Sequence, residues 1–145
     1  MHIKFPYRKI LVPAGNGQRA QKSQLVPVIH IRIFNKEKYL DCLTYIDSGS
    51  PNCLFPGEYG EIIGIENIES GHKRDFFGLT YGIDKVKIPF YSHSIEIEIG
   101  GYKFPCEGYF SRDYKSQALL GQYGFFNHFR VTFDFQKEEI ELAWK

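Results

Sequence analysis

Apolar and polar residues alternate along much of this chain with a period of two, the spacing that sends successive side chains to opposite faces of a β-strand. Ile29, Ile31 and Ile33 alternate with His30 and Arg32. After a polar turn at residues 35–38, a second β-rich run climbs from Tyr39 to Ile46, predicting a hairpin whose second strand ends at Asp47. Farther on, Ile95, Ile97 and Ile99 alternate with Ser94, Glu96 and Glu98, and Tyr102, Phe104 and Cys106 alternate with Lys103, Pro105 and Glu107. Gly100-Gly101 between them is a two-residue hairpin turn. Near the end, Val131, Phe133 and Phe135 alternate with Thr132 and Asp134, and Ile140 and Leu142 with Glu139 and Glu141, around a turn at 136–138. The pattern predicts a mainly β chain built from antiparallel hairpins.

The remaining segments are less regular. Ile10, Leu11 and Val12 form a short apolar stretch, and the polar run from Pro13 through Gln24 reads as a loop. Residues 56–64 suit one short helical turn, because their glycines make a longer helix expensive. Runs from Asp75 to Phe77 and from Asp84 to Tyr91 flank Gly78-Leu79-Thr80-Tyr81-Gly82, a glycine-bracketed hairpin tip. After a polar loop at 111–117, Ala118-Leu119-Leu120-Gly121 leads into residues 122–129, an aromatic segment read as a second short helix despite Gly124. No repeat of solenoid or propeller period is present.

A length of 145 residues points to one domain, long enough to bury a core without disulfides or metals. The net charge of +1, with Lys and Arg scattered along the chain, implies no nucleic-acid partner. No apolar run approaches the roughly 20 residues that span a bilayer, and the first eleven residues lack a signal-peptide core, so the expected location is cytoplasmic, away from membranes. Cys42, Cys53 and Cys106 have no CxxC spacing and read as reduced thiols in the core, and the five histidines form no HExxH pattern. No metal and no cofactor are expected. Glu96 and Glu98 share a strand face, but the intervening isoleucines make that face the solvated one.

Chemistry enters at Asp47-Ser48-Gly49-Ser50, which follows the apolar strand Leu43-Thr44-Tyr45-Ile46. A strand that runs straight into a turn holds its terminal carboxylate in place. Glycine lets the backbone bend sharply, and the flanking hydroxyls can bond neighbouring main chain or the carboxylate. An ordinary Asp/Ser turn has the same composition, and only the wider pattern separates the two readings.

That wider pattern resembles the retropepsin-like aspartic peptidases, in which Asp-Ser/Thr-Gly-Ala/Ser/Thr follows an apolar strand and two apolar residues plus glycine recur late in the chain. Asp47-Ser48-Gly49-Ser50 and Leu119-Leu120-Gly121 match these two elements, in order, over roughly residues 25–143. The resemblance implies an acid-protease barrel spanning residues 26–145, preceded by an N-terminal extension over 1–25. It implies Asp47 as the catalytic carboxylate, supported by Ser48, Gly49 and Ser50, with Leu119, Leu120 and Gly121 as a structural second motif. Gly78, Thr80, Tyr81 and Gly82 are then candidates for the tip of a hairpin that covers substrate.

Metal-free peptide hydrolysis requires a base for water and an acid for the leaving group, and one carboxylate cannot be both at once. The chain carries one such motif, so an active enzyme would be a homodimer acting on a peptide or protein substrate. Two readings of other classes remain beside it: a non-catalytic retropepsin-like binding or assembly module, and a small β-barrel holding an apolar ligand.

Overall fold

The computed structural model describes residues 1–13, 21–77 and 87–145. Its strands are β1 (His2–Pro6), β2 (Arg8–Pro13), β3 (Gln21–Val26), β4 (Val28–Asn35), β5 (Lys38–Ile46), β6 (Cys53–Pro56), β7 (Lys73–Phe77), β8 (Lys87–Ile99), β9 (Tyr102–Ser111), β10 (Ala118–Leu120), β11 (Phe129–Asp134) and β12 (Glu139–Trp144). One α-helix, α1 (Gly57–Ile62), and one 3-10 turn (Ile68–Ser70) complete the described elements. Seven strands pair in the order β4-β5-β10-β6-β9-β8-β7, and an added β4–β8 pairing closes the sheet on itself as a barrel.

The three hairpins read from alternation form as expected: β4 with β5, β8 with β9, and β11 with β12. Gly100 and Gly101 adopt φ of 56° and 85°, the left-handed pair that a two-residue turn between right-twisted strands demands. Their inward positions supply the core. Ile31, Ile33, Ile97, Phe55, Phe104 and Phe110 are each 2% exposed or less, and each such burial contributes about 1.5–3 kcal/mol relative to an exposed side chain. The predicted helical turn after residue 56 is α1.

Three expectations need correction. The architecture is not wholly antiparallel, since β10 runs parallel to β5 and β6 runs parallel to β9. Such pairings join distant segments and leave no local signal. Residues 122–129 form no helix. There Phe126 and Asn127 donate back five residues, to the carbonyls of Gly121 and Gln122, while His128 donates back three, to Phe125. Gly124 sits at φ +105°, where a Cβ would lie 2.7 Å from Cys106 Sγ, so the chain crosses the two buried sulfurs in wide turns instead of coiling. The buried rings of Phe125 and Phe129 make up the difference by packing 5.1 Å apart in the core.

The third correction concerns the polar run ending at Gln24, where β3 starts at Gln21 and pairs with β2 as a two-stranded ribbon from Arg8↔Val26 to Pro13↔Gln21. Lys22, Ser23 and Gln24 are exposed, so this strand has no apolar face to advertise itself. Residues 2–6, to which the alternation assigned no element, form β1, which lies against β12 in a three-stranded sheet ordered β1-β12-β11. Phe129 and Trp144 bring that sheet onto the barrel, their rings 5.2 Å from that of Phe104 and 4.0 Å from that of Tyr102 on β9. The candidate tip residues Gly78, Thr80, Tyr81 and Gly82 lie outside the described residues, while β7 and β8, which lead to and from them, pair as far as Phe77↔Lys87.

All three cysteines are free and buried. Burial pushes the Cys42 thiol up to about 12, which holds it as the unreactive thiol at neutral pH. A hydrogen bond between Cys53 and Cys106 depresses the first thiol and raises the second. An alkylating reagent at neutral pH is therefore expected to leave Cys42 unmodified in the native protein and to label it once denaturant unfolds the chain. Mass spectrometry of the alkylated peptides checks this, and rapid native labelling of Cys42 would contradict the burial described here.

Candidate active site

β5 delivers Asp47 through Thr44 and Ile46, whose side chains are buried in the barrel. β10 is inserted beside it in register Ala118↔Thr44, Leu119↔Tyr45 and Leu120↔Ile46, with Leu119↔Leu54 of β6 on its other side. The two motifs thus meet in space. The Asp47 N–H donates to the Leu120 carbonyl at 3.0 Å, extending the β5–β10 ladder through the first residue of the turn.

The turn then fixes its own acid. The Gly49 N–H donates to Asp47 Oδ1 at 2.9 Å, and the Ser50 N–H donates to the Asp47 carbonyl at 3.1 Å. Asp47 is partly exposed, Ser48 and Gly49 are exposed, and Ser50 is buried with its hydroxyl donating to the Asn52 carbonyl at 2.7 Å. Asp47 Oδ2 has no hydrogen-bond partner among the described residues, and no ion pair among them includes Asp47. One carboxylate oxygen is anchored and the other is left unbonded among the described residues.

Gly121 closes the junction. A Cβ there would penetrate the Asn52 carbonyl oxygen and lie 2.5 Å from that of Ser50, so only glycine lets β10 end flush against the turn. Immediately after it, the Gln122 N–H donates to the Ser50 carbonyl and the Tyr123 N–H to the Pro51 carbonyl, both at 2.9 Å. The Gln122 side-chain amide donates to the Ser48 carbonyl at 2.7 Å. Three donors from residues 122–123 therefore hold the carbonyls of residues 48, 50 and 51, together with the Leu120–Asp47 bond.

Sequence reasoning missed three of these residues. Gln122 is one, and Asn52 is another, buried with its Oδ1 accepting from the Arg74 guanidinium at 2.6 Å. Arg74 itself ties β7 to the Asp47 turn. The position of Gln122 directly after Leu119-Leu120-Gly121 was a usable signal, because whatever follows that glycine must lie against the turn; nothing local marks Asn52 or Arg74.

A carboxylate with one oxygen held and one open can take a proton from water or return one to a leaving group, but cannot do both in the same step. Three clefts of about 330, 380 and 490 Å³ elsewhere on the chain have no Asp47 in their walls. Among the described residues, no group of three or more His, Cys, Asp or Glu side chains is gathered to hold a metal ion, and no helix is long and apolar enough to cross a membrane.

No protein-family model and no curated protein sequence matches the chain. Solved structures do. A retropepsin-like aspartic protease from Rickettsia conorii superposes with a TM-score of 0.56 at 14% identity, covering 98% of this chain and 90% of that one. The retroviral protease-like domain of Ddi1 from Leishmania major gives 0.52 at 15% identity, covering 83% and 95%. EIAV protease complexed with the inhibitor HBY-793 also matches, at a TM-score of 0.45 and 12% identity over 77% and 88%. A closed β-barrel with Leu119-Leu120-Gly121 lodged against the Asp47 turn, matched over nearly its whole length by the first of these structures, has the fold of the retropepsin-like aspartic proteases.

Proposed function

We propose that this chain is an aspartic endopeptidase that works as a homodimer, with two Asp47 carboxylates meeting across a twofold axis. One observation carries the reading: a partly exposed carboxylate, braced through Oδ1, in a chain with a single such motif. Bringing two like charges together leaves one acid protonated while its neighbour is ionised, the dyad arrangement that the aspartic proteases exemplify. The ionised member takes a proton from water as it attacks the peptide carbonyl, and the protonated member donates to the carbonyl oxygen. Collapse of the tetrahedral species returns a proton to the departing amine. Ser48, exposed and without a hydrogen bond for its hydroxyl among the described residues, is the residue of the turn that would reach the partner chain. An extended peptide adds to the sheet as a strand, taking its specificity from alternate side chains.

Cleavage of a diverse peptide library, followed by mass spectrometry over a range of protein concentrations, tests this. Below the dimer dissociation constant, the rate is expected to rise with the square of concentration, becoming linear above it. A strict monomer that still cleaves would overturn the homodimer. A folded dimer that cleaves nothing would overturn the peptidase and favour a binding or assembly module.

A further inference from the structure

The net charge of +1 conceals a division: residues 1–36 hold seven Lys and Arg with no Asp or Glu, leaving −6 on the remainder. The basic residues are spread along the whole chain, but the first quarter has no acids to balance them. Lys4 and Arg32 are paired, with Glu139 and Asp41. Arg8, Lys9 and Lys22, on the β2–β3 ribbon, are exposed and have no ion pair among the described residues.

Two of these cations line a cleft. A concavity of about 380 Å³ opens at the root of the ribbon, walled by Phe5, Tyr7, Arg8, Lys9, His30 and Leu43 among others. Among the described residues, no carboxylate contributes to its lining. Asp41, whose charge reaches His30, is already engaged by the Arg32 guanidinium at 2.6 and 3.0 Å. The cleft joins unpaired positive charge to aromatic and aliphatic wall, which suits an acidic segment carrying an apolar side chain and suits a cationic one poorly.

Its place in the fold connects it to the acid. The ribbon returns to the barrel at Val26, which is buried, and the next carbonyl, Pro27, accepts from the Ile46 N–H at 2.9 Å, one residue before Asp47. Leu43 in the cleft wall is four positions before Asp47 on β5, a span of about 13 Å at strand rise. An extended peptide bridges that distance with about four residues.

We infer that the cleft at the root of the β2–β3 ribbon binds acidic peptide segments through Arg8 and Lys9, selecting substrates with Asp or Glu about four residues from the bond presented to Asp47. The selection of substrate rests on the peptidase reading; the binding of acidic peptide does not.

Fluorescence anisotropy with Asp47→Asn protein, which cannot consume the probe, separates the two. The probes are a labelled octapeptide with an apolar centre and a run of glutamates, and its counterpart with lysines in their place. The glutamate peptide is expected to bind about ten-fold more tightly, with the preference fading as salt approaches about 1 M. Adding Arg8→Gln and Lys9→Gln should abolish the preference, while Lys36→Gln, in the turn that follows β4, should leave it intact. Equal binding of the two peptides would overturn the inference, as would equal loss with Lys36→Gln, which would mean bulk charge alone. A single-stranded oligonucleotide that displaces the peptide at about ten-fold lower concentration would overturn it in favour of phosphodiester recognition. Cleavage by the wild type with no acidic preference would sink this inference and leave the peptidase standing. Acidic binding without any cleavage would do the reverse.

Discussion

Asp47→Asn is expected to lower the proposed peptide hydrolysis by about a thousand-fold, the middle of the range for removing general acid–base chemistry, without unfolding the chain. The amide keeps an acceptor at the Oδ1 position, so the Gly49 N–H still has its partner and the turn retains its shape. What is lost is a group able to ionise. Thermal melting should change little, whereas the cleavage rate of a peptide found in the library screen should fall to background. A dimer adds a stronger signature: in an equal mixture with the wild type, random pairing leaves about a quarter of dimers with two Asp47 residues, so activity falls below the half that independent chains would give. A residual rate of half in the mixture would mean that each chain works alone.

Gly121→Ala is expected to cause the largest loss of stability among the substitutions considered. The new methyl would penetrate the Asn52 carbonyl oxygen and crowd that of Ser50, and neither can retreat without breaking a bond, the first from the Ser50 hydroxyl and the second from the Gln122 N–H. Overpacking against backbone of this kind costs about 3 kcal/mol, which lowers the melting temperature of a chain this size by about 10 °C. Gly101→Ala provides the comparison. At φ +85° it pays only the left-handed strain of about 1 kcal/mol, because nothing lies within 4 Å of the added atom. Circular-dichroism melts of both variants decide the matter, and equal shifts would refute the steric account of Gly121.

How much of this was legible from the sequence depended on the range of each interaction. The β8–β9 hairpin could be read because its signal is local: strict alternation on both arms and two glycines where two positive φ angles are needed. Asp47 could be read because a short motif and the strand before it suffice. The β10 insertion left only the trace Leu119-Leu120-Gly121, since its partners Thr44 to Ile46 and Leu54 lie far away in the chain. Residues 122–129 misled because their aromatic spacing suits a helix, yet the contact of Gly124 with the Cys106 and Cys53 sulfurs is a tertiary demand that spacing does not record. The β3 strand was hidden for the opposite reason, having almost no buried face to impose a period. Asn52 and Arg74 became part of the site through a single bond between separate strands and carried no prior mark.

The bracing of the Asp47 turn by Gln122, 74 positions after Ser48, also sets a schedule for synthesis. Until the ribosome has released the segment through Gln122, the turn lacks the Leu120 carbonyl, the Gln122 amide and the Tyr123 N–H that hold it, and the barrel lacks β10. Contacts of such separation form late, after the loop between them has been closed at an entropic cost. A nascent chain would therefore carry its acid unassembled until Tyr123 has emerged, and whatever hydrolytic power the protein has could not precede that point.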